Sequence, residues 1–147
     1  MRVLTMLIAA VPIAALTPAG PAAQAARSAA APYHAALAAS EEVPTPGPSG
    51  GTGTARVTID VVAGQLCYDL SWSSQVGSPS AAHIHRGAKG TNGPIVVVLN
   101  EPPSPKACVA ADATVLQGIS GDPGGYYVNI HTSAYPGGAV RGQLQQG

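Results

Sequence analysis

The sequence predicts an all-β protein, an antiparallel β-sandwich of seven or eight short strands, and three observations carry that expectation. Apolar and polar residues alternate at period two over several short runs. Turn signals rich in Gly, Pro, Asn and Asp separate those runs. After the first 25 residues no long stretch of 3.6-residue period follows. A closed barrel would fit the same pattern.

Residues 1–25 are expected to be a signal peptide. Arg2 gives a positive start, Val3 to Leu16 are apolar, and Ala23-Gln24-Ala25 offers the small residues a signal peptidase reads. The apolar stretch is short for a span of roughly 17 to 25 residues and is interrupted by Pro12. The chain is therefore expected to be secreted, extracellular or associated with the cell envelope, with no membrane insertion in its mature form. Residues 26–32 read as a disordered, Ala-rich mature terminus, and 33–147 as one β-sandwich domain.

Along that domain, Tyr33 to Ala39 is expected as an edge strand, and Pro44 to Gly53 as a loose segment. Val57, Ile59 and Val61 alternate with Arg56, Thr58 and Asp60, which marks a half-buried strand, and Ala63-Gly64 turns it back on itself. On the return strand Leu66, Tyr68, Leu70 and Trp72 share the core face, so Cys67, Asp69 and Ser71 point outward. Ala81 to Arg86 is a short strand. Pro94 to Leu99, rich in valine, reads as a strand buried on both sides. Glu101 to Lys106, with three prolines, is loop, Ala113 to Gln117 a further strand, and Asp122-Pro123-Gly124-Gly125 a turn. Tyr126 to Thr132 and Ala139 to Gln145 pair across Pro136-Gly137-Gly138.

Without Arg2, six Lys/Arg face seven Asp/Glu, a formal charge of −1 that gives no reason to bind nucleic acid or an anionic membrane. Cys67 and Cys108 are the two cysteines. In an exported chain an intramolecular disulfide is the economical reading, stabilising by about 4 kcal/mol in the chain-entropy model. On that reading the bridge pins a connecting loop onto the sheet. A Cys/His metal site lacks a close C-x-x-C pair.

Histidines carry the candidate chemistry. His83 and His85 lie two apart on one strand and so share a face. In Tyr126 to His131 the apolar set is Tyr126, Val128 and Ile130, which leaves Tyr127, Asn129 and His131 on the outer face. All three histidines are thus expected outside the core, within reach of water and ligand. Neutral imidazole suits copper and zinc, and three such ligands leave a position open. Hydrolytic zinc chemistry would want a carboxylate base, and neither histidine phrase supplies one in sequence. The plainer alternative is structural: strand histidines hydrogen-bond to neighbours, and Arg141 pairs with Asp69 or a backbone carbonyl. The tyrosines and Trp72 suggest packing before carbohydrate stacking. Gly87-Ala88-Lys89-Gly90 lacks the helix of a phosphate loop, and no Gly-x-Ser-x-Gly supports a serine triad.

Several phrases in order resemble the chordin-type (CHRD) domain: Glu42-Val43-Pro44, Ala82-His83-Ile84-His85-Arg86-Gly87, Asn92-Gly93-Pro94, Tyr126-Tyr127-Val128-Asn129-Ile130-His131-Thr132 and Val140-Arg141-Gly142-Gln143-Leu144. The resemblance spans Tyr33 to Gln145. It implies an extracellular β-rich module found in bacterial exported proteins and in animal chordin, and no known activity. A fainter resemblance is to the copper site of Cu/Zn superoxide dismutase, and the expected sandwich is either immunoglobulin-like or a Greek key of superoxide-dismutase type. That resemblance implies His83, His85 and His131 as copper ligands and Arg141 as a residue steering an anionic substrate. The bridging histidine and zinc loop are absent, and His34 is the one spare imidazole.

Two function classes follow. One is a non-catalytic binding or matrix-associated module, with a surface metal site as an option and an extracellular protein, glycan or matrix ligand as partner. The other is a copper-dependent redox protein acting on superoxide.

Overall fold

The computed structural model describes residues 30–147; the expected signal peptide and residues 26–29 lie outside the described residues. Nine strands form one sheet: β1 (Ala31–Ala38), β2 (Thr52–Asp60), β3 (Gln65–Trp72), β4 (Pro79–Arg86), β5 (Ile95–Val98), β6 (Lys106–Ala110), β7 (Tyr126–Thr132), β8 (Val140–Gln143) and β9 (Gln145–Gln146). The order is β5-β4-β7-β8-β1-β2-β3-β6, every pairing is antiparallel, and β9 adds to β1. The described residues include no helix long and apolar enough to cross a membrane.

The sheet bends where β8 meets β1, because only Ala38 and Arg141 pair there before the chain passes Leu144 and β9 resumes pairing at His34 and Tyr33. Leu144 turns fully inward at this break. The inner faces on either side of the bend meet in one core. Leu66, Tyr68 and Leu70 come from β3, Val57 and Ile59 from β2, Ile84 from β4, and Val128 and Ile130 from β7. Burying each of these larger side chains contributes about 1.5–3 kcal/mol before chain entropy is counted. The two ends of the sheet approach as well, where the hydroxyl of Tyr68 on β3 donates to the carbonyl of Leu99, just after β5, at 2.7 Å. The expected sandwich is thus a single, nearly closed sheet.

Parity is as expected in β2 and β3 by alternating burial and in β4 and β7 by which residues enter the core, and the Gly64 turn takes a φ of 63° that glycine accommodates without strain. Five details differ. Lys106–Ala110 forms strand β6, where the sequence predicts no strand and places Lys106 in a loop. β1 begins at Ala31 and lies between β2 and the β8–β9 edge, so it is an interior strand rather than an edge. The valine-rich β5 is the edge strand. It pairs only with β4 and leaves Ile95 and Val98 each 49% exposed, so a continuous apolar run here does not mean burial on both sides. Ala113–Gly121 is a helix, α1, not a strand. Asp112 caps it by accepting from the Thr114 and Val115 amides at 2.8 and 3.3 Å, and Leu116 and Ile119, three apart, enter the core from one face. Cys108 lies on β6 directly opposite Cys67, so the disulfide joins two paired strands and pins an edge strand, not a loop.

Candidate metal centre

The site is built by strand register. β4 and β7 run antiparallel with Ala81 opposite His131 and His83 opposite Asn129, so His131 sits diagonally from His83 on the same face. His85 follows two residues along β4. One ligand nitrogen from each of His83, His85 and His131 lies within 4.8 Å of the others. The ring centroids of His83 and His131 are 4.9 Å apart, those of His83 and His85 5.7 Å.

All three rings face away from the hydrophobic core, as parity requires, yet they are not open to water. His83, His85 and His131 are only 7%, 9% and 9% exposed. This corrects the expectation that the outer face is solvated. Loops roof it. The segment after β4 returns so that the Gly93 carbonyl meets His85, and the turn between β7 and β8 brings the Pro136 carbonyl to His131. Every residue of β7, on both faces, is buried.

Hydrogen bonding assigns the tautomers of two rings. His85 Nδ1 lies 2.9 Å from the Gly93 carbonyl and His131 Nδ1 lies 3.0 Å from the Pro136 carbonyl; a carbonyl only accepts, so both Nδ1 atoms carry hydrogen. Their Nε2 atoms are left with lone pairs. Burial pushes the pKa of His131 down to about 4 and that of His85 down as well, against the opposing pull of those carbonyls, so both rings are neutral at pH 7. His83 Nε2 donates to the Glu101 carboxylate at 2.8 Å. Its Nδ1 then faces His131 Nε2 at 3.1 Å, a contact that only a shared proton or cation makes favourable. His85 Nε2 is buried with no hydrogen-bond partner. Three nitrogens therefore converge, each ring held from behind by an oxygen acceptor, as in second shells that orient metal-bound imidazoles.

Arg141, the residue the fainter resemblance assigns to anion steering, lies beside the cluster with its donors committed to protein acceptors. It is 4% exposed and donates from Nε to Glu42 Oε2 at 2.8 Å, from Nη1 to the Thr91 carbonyl at 3.0 Å and from Nη2 to Asn92 Oδ1 at 2.7 Å. It does not pair with Asp69, whose partner is Lys106. Burial pushes the Glu42 carboxyl up, while Arg141 and Asn129, which also donates to it, pull the other way. The Tyr127 ring stacks on His85, with centroids 4.8 Å apart and planes within 5°, and the Arg141 guanidinium lies 4.6 Å from the same ring.

Sequence reasoning missed Glu101. Asn100, at a left-handed φ of 65°, redirects the chain after β5 and so brings Glu101 against His83. The β4–β5 hairpin was the available signal, since a strand pairing with β4 must leave its following residues near the histidines. Glu42 appeared only within a family phrase, 87 residues from Asn129, and no local pattern announces that contact.

The disulfide is compatible with an extracellular protein. No curated protein and no solved structure matches the chain. The family model described as CHRD domain matches residues 33–144, and with the motifs resting on the β4, β7 and β8 strands that build the site, the chain belongs to the CHRD domain family.

Proposed function

We propose that this protein is an exported, non-catalytic binding module whose β4–β7 face holds one transition-metal ion, copper before zinc, through His83 Nδ1, His85 Nε2 and His131 Nε2. The observation that carries the reading is the buried, unpartnered Nε2 of His85 beside the unfavourable facing pair of His83 and His131. A buried polar atom left without a partner costs about 1–3 kcal/mol, and one cation would engage all three nitrogens at once. Family membership is consistent with a module rather than an enzyme. Binding is favoured over turnover because the imidazoles are roofed and the Arg141 charge is committed to Glu42. Export rests on the leader-like residues 1–25 and on the disulfide.

Copper titration of the purified, disulfide-intact protein tests this, followed by electron paramagnetic resonance. One tightly held equivalent per chain with nitrogen hyperfine structure is expected, and its loss in His85→Ala and His131→Ala. A copper signal unchanged by both substitutions sinks the proposal. Superoxide turnover above that of free copper, lost with the same substitutions, would replace the binding module with the redox protein.

A further inference from the structure

Two loops supply the carbonyls that hold His85 and His131, and both loops converge on one buried ion pair that hydrogen-bonds to neither imidazole. From Arg141 the guanidinium reaches the first loop at the Thr91 carbonyl and at Asn92 Oδ1, and Asn92 Nδ2 donates to the Val43 carbonyl at 2.9 Å. The next residue is Gly93, the acceptor for His85. Glu42, 3% exposed, lies under the second loop, and a Cβ on Gly138 would fall on its carboxylate. That same turn carries Pro136, the acceptor for His131, and closes through the Gly138 amide on the Tyr135 carbonyl at 3.1 Å.

A buried ion pair is weak evidence of stabilisation, since an apolar pair of similar volume serves packing as well or better. What an apolar pair does not do is fix several oxygen atoms at set positions, and the planar guanidinium fork does. The pair also keeps the Arg141 charge from opposing a cation nearby, because Glu42 neutralises it at 2.8 Å.

We propose that Glu42 and Arg141 are positioning residues for the histidine cluster: they set the Gly93 and Pro136 carbonyls, which lock His85 and His131 as Nδ1–H tautomers and so aim both Nε2 lone pairs inward. Free neutral histidine favours the opposite, Nε2–H form, so the protein must impose this choice. The inference rests on the metal reading for its purpose, but its mechanism is visible in metal-free protein.

The test is ring-nitrogen NMR of the metal-free, ¹⁵N-histidine-labelled protein above pH 7, with copper affinity measured in parallel. Wild type is expected to show Nδ1–H at His85 and His131. Asn92→Ala, at an exposed position, cuts one link to the first loop and should shift His85 toward a tautomer mixture while sparing His131. Gly138→Ala crowds Glu42 and also strains the turn at a φ of 138°, and should do the reverse. Arg141→Lys, which keeps charge and loses the fork, should loosen both. Copper affinity should fall about 10- to 100-fold in each, the usual effect of losing an outer-shell partner. Fixed Nδ1–H tautomers in all three folded variants, or Nε2–H in wild type, overturn the proposal. Tautomers that loosen as expected in a protein that binds no copper support the positioning role and sink the metal reading alone.

Discussion

The outer faces of the sheet's two ends obey the same alternation and meet opposite fates. On β2, β3 and β6 the outward residues stand in solvent: Asp69 and Lys106 pair at 3.3 Å with side chains 52% and 79% exposed, and Cys108 beside them is exposed too. On β4, β7 and β8 the outward residues include His83, His85, Asn129, His131 and Arg141, all five buried. Loops make the difference. Parity decides which side of a sheet a residue takes, and only the connections between strands decide whether water is there. A roofed outer face is a second, polar interior, where every donor and acceptor must find a partner or a ligand.

Breaking one ion pair on each face should expose this contrast most strongly. Arg141→Met leaves the Glu42 carboxylate, 1% exposed as a side chain, without its cation, and should destabilise the protein by about 3–5 kcal/mol in urea or guanidinium unfolding. A cost below about 1 kcal/mol would mean that water enters the roofed face and that the contrast is false.

The pH dependence of the metal-free protein comes next in size. With a folded pKa of about 4 against about 6.5 in the unfolded chain, His131 takes up its proton more readily once unfolded. Its contribution is therefore full above pH 6.5, declines as pH falls toward 4, and changes no further below. The loss across that window is about 3 kcal/mol, and His85, shifted the same way, adds to it. Glu42, shifted up by burial, works in the opposite sense by favouring the folded state at low pH. Unfolding curves between pH 7 and 4 for wild type and His131→Gln measure the difference. Equal slopes would show that the ring is already open to solvent.

How much of this the sequence disclosed follows the same division between parity and connection. Period-two alternation gave β2, β3 and β7 and the common face of the three histidines, because that information is local. Asp112 as cap with Leu116 and Ile119 three apart was local as well, but Thr114 and Val115 favour strands and obscured it. The edge position of β5 and the interior position of β1 depend on strand order, which alternation does not encode. The roof was the least legible. Glu42 meets Arg141 across 99 residues with no period or motif to announce it, and Glu101 reaches His83 across 18 residues only because Asn100 turns the chain at the end of the β4–β5 hairpin.

The smallest effect belongs to the open face. Lys106→Ala removes the exposed partner of Asp69, whose carboxylate then simply regains water, and the loss should stay within about 1 kcal/mol and fade further in salt. The comparison is sharpest because β6 needs no ion pair to stay in place. Its register with β3 is set by five paired residues and by the Cys67–Cys108 bridge. If Lys106→Ala instead cost as much as Arg141→Met in the same unfolding assay, exposure would not be what separates the two pairs. Equal costs would also mean that the roof does not create the buried polar interior on which the candidate metal centre depends.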